Sequence, residues 1–281
     1  MVLAAAKLRY PPRMRSARTE TFHHLHDSGC FVIPNPWDVG SARALASLGF
    51  QALATTSAGF AWAAGRADHG VTLEETIVHA RMIAAAVDVP ISVDFEGGFA
   101  VEPAEVGANV AAAAETGISG LSIEDSSHEA AEPLFAFDLA VERMRAARRA
   151  IDESGTGMLL TGRSEGFLVG RPDLDETIRR LTAYAEAGAD CLYAPGIHSM
   201  DHVAAIVRAV APKPVNVLVG GDFATVAQLA ALGVRRISVG GALARTAWTG
   251  FLEAAREIAT QGTFTAFGRT VGHMDLNKLL S

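Results

Sequence analysis

A regular alternation of short apolar runs with longer helix-patterned segments is the feature that most constrains this chain. The runs recur about every 29 residues, close to the length of one β–α unit. Eight strands are predicted to start near Phe31, Gln51, Pro90, Ser119, Gly157, Ala189, Pro214 and Arg235. Strands that alternate with helices favour a parallel sheet, and eight such units predict a closed (β/α)8 TIM barrel.

The residues between the runs agree with this prediction. Helices are predicted over Val39–Leu48, Thr72–Ala86, Ala104–Glu115, Asp138–Asp152, Asp173–Ala187, Met200–Val210, Phe223–Ala231 and Ala242–Thr260. Side chains suited to an N-cap begin three of them, at Asp38, Thr72 and Asp222. Four glycines stand where a helix gives way to a strand, the usual place of a left-handed C-cap: Gly49, Gly117, Gly188 and Gly233. No GxGxxG motif follows the first strand, which disfavours an open dinucleotide-binding sheet.

One barrel accounts for most of the 281 residues. We assign residues 31–260 to it, residues 1–30 to an N-terminal extension with a helix across the bottom of the barrel, and residues 261–281 to a C-terminal tail. The tail is expected either to be disordered or to pack on a partner subunit. Three histidines of the extension, His23, His24 and His26, are expected to face solvent.

Composition excludes several classes of protein. The formal net charge of −7 disfavours non-specific binding to nucleic acid or to an anionic membrane. No apolar run approaches the roughly 20 residues needed to cross a bilayer. The two cysteines, Cys30 and Cys191, lie in apolar runs and exclude both a disulfide scaffold and a zinc site built on CxxC pairs. We therefore expect a cytoplasmic protein that acts on a small molecule.

Acidic residues collect at the predicted carboxyl ends of strands three and four, where a barrel of this kind places its active site. Asp94 and Glu96 follow strand three, and Glu124 and Asp125 follow strand four. Two carboxylates about 4 Å apart repel by roughly 4 kcal/mol at an effective dielectric constant near 20. A divalent cation relieves this repulsion, and a set of oxygen ligands favours Mg²⁺ or Mn²⁺. The alternative is that each acid caps a helix or pairs with an arginine.

Arg163 ends strand five and is the second candidate at this rim. A guanidinium there can form a bidentate pair with a substrate carboxylate. The alternative is a structural ion pair with Glu165 or Glu124. Among the histidines, only His128 is well placed for proton transfer, in the loop after strand four.

Two glycine-containing loops at this rim could bind anionic oxygens. The turn Thr55–Gly59 has small residues that leave backbone amides free. The pairs Gly220–Gly221 and Gly240–Gly241 end strands seven and eight, where such barrels often hold phosphate. They motivate an alternative function as a phosphate-binding aldolase or synthase, although no lysine ends a strand to form a Schiff base.

Several segments in order along the chain resemble the isocitrate lyase/phosphoenolpyruvate mutase superfamily. They are FVIPNPWDVGSARALASLGFQALATTSAGFAWAAGRADHG, PISVDFEGGFA, GISGLSIEDS, TGRSEGFL and AYAEAGADCLYAPG, and the similarity runs from about Phe31 to Trp248. The resemblance implies a Mg²⁺-dependent site for a 2-oxo acid or its enolate. It implies metal binding by Asp68, Asp94, Glu96 and Glu124. It implies substrate binding by Arg163, by Thr56, Ser57 and Ala58, and by Trp37 and Asp38 in the pocket wall. The predicted pocket also includes Pro195 and Asn216, and a homo-oligomer that exchanges its last barrel helix is expected.

Two departures from the family pattern bear on the activity. Isocitrate and methylisocitrate lyases carry a Lys-Arg/Lys-Cys-Gly-His motif after strand four, whereas this chain reads SSHEAAEPL from Ser126 to Leu134. The general-acid cysteine is therefore missing, and Ser126, His128 or a metal-bound water are the candidates to replace it. Glu96 stands where many members have aspartate, which lengthens that arm by one methylene.

The function predicted from the sequence is a Mg²⁺-dependent (or Mn²⁺-dependent) enzyme that cleaves a C–C bond. Its substrate would be a small 2-oxo acid or a 2-hydroxy di- or tricarboxylate, and the reaction would pass through an enolate. Lyase, decarboxylase and hydrolase outcomes share that intermediate. The other alternative is a protein that binds 2-oxo acids with little turnover.

Overall fold

The computed structural model describes residues 15–281 and has the predicted architecture. All eight strands are parallel, in the order β1-β8-β7-β6-β5-β4-β3-β2. They are β1 (Phe31–Ile33), β2 (Leu53–Ala54), β3 (Ile91–Asp94), β4 (Gly120–Glu124), β5 (Leu159–Arg163), β6 (Cys191–Tyr193), β7 (Val215–Leu218) and β8 (Arg236–Ser238). The Ala54 amide donates to the Pro34 carbonyl over 3.1 Å, which joins the two outer strands of that order and closes the circle. The (β/α)8 TIM barrel is confirmed.

Helices connect the strands, and each of the eight predicted helices is present. The helices are α1 (Ala17–Asp27), α2 (Val39–Ser47), α3 (Ser57–Ala63), α4 (Leu73–Ala86), α5 (Pro103–Ala114), α6 (Phe137–Ser154), α7 (Leu174–Glu186), α8 (Met200–Val210), α9 (Val226–Ala231), α10 (Ala242–Gln261) and α11 (His273–Leu280). The sequence did not predict α3, a seven-residue helix directly after β2. Thr56 begins it by accepting a hydrogen bond from the Gly59 amide.

The predicted helix ends are confirmed with one exception. Asp38 and Thr72 cap α2 and α4, each within a reciprocal capping box. Asp222 does not cap α9; Thr225 does, and the Gln228 side chain completes its capping box. The correction has a simple cause, because the T-x-x-Q pattern three residues later satisfies the helix amides better. The glycines at 49, 117, 188 and 233 all have positive φ, between 85° and 104°.

The two faces of the strands differ in polarity. Along each strand, side chains alternate between the helices outside and the barrel interior. Apolar residues such as Val93, Leu121 and Val217 belong to the main hydrophobic core between strands and helices. The interior instead contains Ser92, Ser122, Asn216, Arg236 and Ser238, which line a cavity that opens at the carboxyl ends of the strands.

Helix α1 covers the bottom of the barrel, as expected for the extension, whose first 14 residues lie outside the described part. Phe22 of α1 is fully buried with Ile33 and Leu159. The expectation that His26 faces solvent is wrong, since only 8% of it is exposed. Its ring lies edge-on to Phe22 and Phe31, which places it under the strands rather than on the outer face of α1.

The last barrel helix, α10, differs from the others because it leaves its apolar side chains uncovered. Ala244 is its one buried residue in the described chain. Large apolar side chains remain exposed on α10 and beyond it, at Trp248, Phe251, Leu252, Ile258, Phe264 and Phe267. The tail is helical, with a 3-10 turn at Thr265–Arg269, and α11 contacts α2 of the same chain. Over residues 15–281, no helix is both long and apolar enough to cross a membrane.

Candidate active site at the barrel mouth

Three carboxylates surround the guanidinium of Arg163 at the mouth of the barrel. Its Nη1 lies 3.2 Å from Asp94 Oδ1 and 3.2 Å from Glu124 Oε2, and its Nε donates to Glu165. Strand register brings these groups together, because Glu124 at the end of β4 pairs with Arg163 at the end of β5. The ion pairs expected as the alternative role of Arg163 are therefore present, while its contact with a substrate carboxylate remains a prediction.

Burial makes this group of charges unusual. Glu124 is 4% exposed, and its burial raises its pKa to about 8, against the opposing charge of Arg163 and with the help of Glu165 and Asp94. Burial likewise raises the pKa of Glu165. One guanidinium thus faces three carboxylates in a water-poor place. A further positive charge, either a proton or a metal ion, is favoured there.

The turn after β2 anchors Asp94 from the other side. The amide and hydroxyl of Ser57 both approach Asp94 Oδ2, at 3.2 and 2.9 Å, and Thr55 Oγ1 accepts the Asp94 amide over 3.0 Å. Ser57 is the first residue of α3, so the helix begins at the carboxylate. This contact fixes the Asp94 side chain against the strand end, and Ala58 lies next to it at the cavity wall.

A polar cavity of about 180 Å³ extends from these residues into the barrel. Predicted site residues that line it are Thr56, Ser57, Ala58, Asp68, Asp94, Arg163 and Asn216. Asn216 lies deeper, where its Oδ1 accepts from Arg236 Nε and its Nδ2 donates to Ser238 Oγ. The cavity is large enough for a small carboxylic acid and brings seven of the predicted residues onto one surface.

Three predicted pocket residues lie elsewhere. Asp38 caps α2 by accepting from the Ser41 amide. Trp37 and Asp38 line a separate, mostly apolar groove with Phe60 and His79. Pro195 is buried just after β6 and is absent from the described lining of the cavity.

A second group of side chains lies at the outer edge of the mouth, and one of its members was not anticipated. His69 Nδ1 is 3.5 Å from Glu96 Oε2, and the rings of His69 and His128 are 4.1 Å apart. His128 Nε2 is 3.6 Å from Glu124 Oε1, which connects this group to the acids around Arg163. The predicted metal ligands Glu96, Glu124 and Asp68 thus all have a histidine beside them. His69 follows the family-like Asp68 directly, and that adjacency was the available signal.

The pKa values of the two histidines of this group are shifted in opposite directions. The Glu96 carboxylate, and then the charges of Asp68 and Glu124, raise the pKa of His69 to about 9 against the effect of burial. Burial, and next the charge of His69, lower the pKa of His128. His128 Nδ1 lies 3.3 Å from Ser126 Oγ, so the two predicted proton donors are in contact.

Asp125 is a further residue that the sequence flagged without a role. It accepts hydrogen bonds from the Glu165 amide (2.7 Å), the Tyr184 hydroxyl (2.6 Å) and Arg180 Nη1 (3.2 Å). Arg180 also donates to the Phe135 carbonyl, at the close of the loop after β4. Asp125 therefore fixes the ends of β4 and β5 and that loop relative to each other, behind the carboxylates.

Comparison with known proteins identifies the family. The family model for phosphoenolpyruvate phosphomutase matches residues 22–259. An uncharacterised protein of Mycobacterium tuberculosis (strain ATCC 25618 / H37Rv) is 36% identical over 78% of this chain and 81% of its own. An oxaloacetate decarboxylase of Pseudomonas paraeruginosa is 30% identical over 78% of this chain and 77% of its own.

Solved structures agree. A Burkholderia cenocepacia J2315 protein assigned as a lyase or mutase is 48% identical, with a TM-score of 0.91 over 93% of this chain and 95% of its own. An oxaloacetate acetylhydrolase and a 2,3-dimethylmalate lyase are also similar, each at 25% identity. These matches confirm the resemblance noted in the sequence: the chain belongs to the phosphoenolpyruvate mutase/isocitrate lyase superfamily of lyases, mutases and hydrolases.

Proposed function

We propose that this protein is a divalent-metal-dependent lyase that cleaves a C–C bond of a small 2-oxo acid or 2-hydroxy di- or tricarboxylate through an enolate. The observation that carries the proposal is Arg163, held among Asp94, Glu124 and Glu165 at the top of a polar cavity of about 180 Å³. Relatives named for oxaloacetate and dimethylmalate act on acids of this size and chemistry.

Arg163 would orient the substrate by a bidentate pair with its carboxylate. Its guanidinium already donates hydrogen bonds to two carboxylates, those of Glu165 and Asp94, so a substrate carboxylate would replace one of them rather than meet an unsolvated charge. The amide of Ala58 would hold a second substrate oxygen, because the neighbouring amides of the first turn of α3 already donate to Asp94 (from Ser57) and to Thr56 (from Gly59).

The oxygen-rich set Asp68, Asp94, Glu96 and Glu124 suits Mg²⁺ or Mn²⁺. An observation independent of the family supports this fit: Asp94, Glu124 and Glu165 face a single guanidinium, that of Arg163, in a buried place, so a further cation is favoured there. Such an ion would stabilise the negative charge that develops on the enolate oxygen as the bond breaks.

Proton transfer would fall to the pair formed by Ser126 and His128. Their side chains are in hydrogen-bond reach of each other, and His128 is partly open to solvent, so a proton can be exchanged with water after each turnover. This pair lies in the loop where the isocitrate and methylisocitrate lyases of the family have their general-acid cysteine.

A panel of 2-oxo and 2-hydroxy acids tests the proposal. Oxaloacetate, 2-methylisocitrate and 2,3-dimethylmalate would each be incubated with the enzyme and Mg²⁺ or Mn²⁺, and products followed by proton NMR. We expect metal-dependent cleavage of at least one acid, abolished by chelation. Binding without turnover across the panel would instead favour the alternative of a 2-oxo-acid-binding protein and would contradict the proposed lyase.

We also propose that the chain forms a homo-oligomer through the uncovered face of α10. Trp248 and Phe251 are 40% and 61% exposed and lie edge-to-face, an arrangement that leaves a large apolar surface in water. The variant Phe251→Glu should shift the mass measured by light scattering towards the monomer. Val101→Glu is the control, since Val101 is an apolar residue of comparable exposure (53%) that does not belong to α10, and it should leave the mass unchanged. A monomeric wild type would contradict this assignment.

A further inference from the structure

We propose that His69, Glu96 and His128 form a binding site for one transition-metal ion of the Co²⁺, Ni²⁺ or Zn²⁺ type, at the outer edge of the barrel mouth. The site shares Glu96 with the oxygen-only set of the proposed function and goes beyond it, because its other two ligands are imidazole nitrogens. It stands on geometry alone and holds whichever reaction the barrel catalyses.

The three side chains already converge. One ligand atom from each can be chosen so that all three lie within 4.8 Å of one another. His69 Nδ1 and Glu96 Oε2 are 3.5 Å apart, close to the roughly 3.4 Å that separates two ligands of a tetrahedral ion with bonds of about 2.1 Å. Small side-chain rotations would bring the third ligand to the same distance.

Glu96 supplies an independent sign that a cation belongs here. It is 7% exposed, and its Oε1 has no hydrogen-bond partner in the described chain. A buried carboxylate oxygen without a partner is costly, so native structures rarely keep one. An ion bound between the two imidazoles through Oε2 would also attract Oε1 of the same carboxylate, and so would give that oxygen a partner.

The remaining nitrogen of each ring also has a suitable neighbour. His128 Nδ1 lies 3.3 Å from Ser126 Oγ, and His69 Nε2 lies 3.9 Å from Asp68 Oδ2. Metal-binding histidines commonly direct their second nitrogen to a hydroxyl, carbonyl or carboxylate, which fixes the ring and its tautomer. Both rings here are in that situation.

Backbone and access agree with this assignment. All three residues have positive φ: 61° at His69, 47° at Glu96 and 60° at His128. Left-handed backbone is uncommon outside glycine and tends to persist at functional sites. The imidazole side chains are 44% and 40% exposed, so an ion can reach them from solvent without any movement of the barrel.

Ligand type decides which ion binds. Imidazole suits Co²⁺, Ni²⁺ and Zn²⁺, whereas Mg²⁺ prefers oxygen and keeps much of its water. The proposed site therefore discriminates against Mg²⁺, while the acids deeper in the mouth do not.

The test uses metal-free protein prepared with a chelator and titrated with Co²⁺ or Mg²⁺ by calorimetry and visible absorption. We expect one tight Co²⁺ per chain with d–d absorption typical of nitrogen ligands. The double variant His69→Gln/His128→Gln should bind Co²⁺ more than about 100-fold more weakly, because removing ligands exceeds the 10- to 100-fold effect of outer partners. Its Mg²⁺ affinity should change by less than about 2-fold.

His24→Gln is the matched control, since His24 is exposed on α1, and it should bind Co²⁺ like the wild type. Circular dichroism verifies that each variant is folded, and the single variant His69→Gln replaces the double one if that fails. Equal Co²⁺ affinity in wild type and variant would overturn the site, as would an equal loss of Mg²⁺ affinity. Failure of the substrate panel with Co²⁺ binding intact would count against the proposed function alone.

Discussion

The two ends of the barrel each bury an arginine, in opposite surroundings. At the mouth, Arg163 is enclosed by carboxylates. At the floor, Arg236 is 4% exposed and meets neutral groups: Asn216 Oδ1 at 2.9 Å, Thr161 Oγ1 at 3.0 Å and His26 Nε2 at 3.4 Å. The same residue type therefore faces an excess of negative charge at one end and, among the described residues, neutral hydrogen-bond partners at the other.

This difference separates a site for chemistry from a structural junction. Charges at the mouth can exchange partners, because a substrate carboxylate or a cation can replace one ion pair with another. The floor offers no such exchange, since within residues 15–281 each hydrogen bond of the Arg236 guanidinium goes to a neutral acceptor. His26 belongs to this arrangement: its Nδ1 donates to the Phe22 carbonyl over 2.7 Å, which leaves Nε2 free to accept from Arg236.

The largest effect is expected from Glu124→Gln at the mouth. Replacing this buried carboxylate removes a proposed metal ligand, and Mg²⁺-dependent binding of a 2-oxo acid should be abolished, a loss of more than about 100-fold. Calorimetry with pyruvate and Mg²⁺ measures it. Glu129→Gln, exposed on the same loop, is the control; unchanged Mg²⁺ affinity in Glu124→Gln would disprove the metal assignment.

The two arginines themselves provide the next test. Arg163→Ala should weaken a carboxylate ligand by about 1.5–3 kcal/mol, the range of a charged hydrogen bond. Arg236→Lys keeps the charge at the floor and should leave ligand affinity within about 2-fold, because that group is already bonded to neutral acceptors. If the two substitutions weakened ligand binding equally, the claim that only the arginine at the mouth binds the ligand would be wrong.

His26 at the floor of the barrel should make the stability of the folded chain depend on pH. Burial, and then the charge of Arg236, lower the pKa of His26 from 6.5 to about 3. In the unfolded chain His26 is therefore protonated below about pH 6.5, whereas in the folded chain it stays neutral down to about pH 3. The free energy of unfolding falls as the pH falls through this window. At about 1.4 kcal/mol per pH unit, His26 should cost about 2 kcal/mol between pH 6.5 and 5.

Urea unfolding at pH 7, 6 and 5 measures this slope. The variant His26→Gln should lose that part of the slope, while His24→Gln on the exposed face of the same helix should keep it. Parallel slopes for wild type and His26→Gln would show that His26 does not carry the effect.

Local patterns predicted the fold well, because strands, helix caps and glycine junctions each depend on a few residues that are adjacent in the sequence. One failure depended on a distant contact and another on the shortness of a helix. His26 is buried against Phe22 and Phe31 and meets Arg236, which lies 210 positions later in the chain. α3 went unpredicted because seven residues are too few for a helical repeat to be distinguished from a turn.

The site divides in the same way. Asp94, Glu124 and Arg163 were found because strand ends of a parallel barrel meet at one rim. Glu96 and His128 were predicted as site residues, but His69 was missed, since it meets His128, 59 positions later, through left-handed backbone at both residues.

The uncovered face of α10 also has a thermodynamic consequence. If a second copy covers Trp248, Phe251 and their neighbours, part of the energy that holds the barrel together is energy of association. The melting temperature would then rise with protein concentration, by mass action. Dilution would act on this protein as a mild denaturant, and Phe251→Glu would melt at one temperature whatever its concentration.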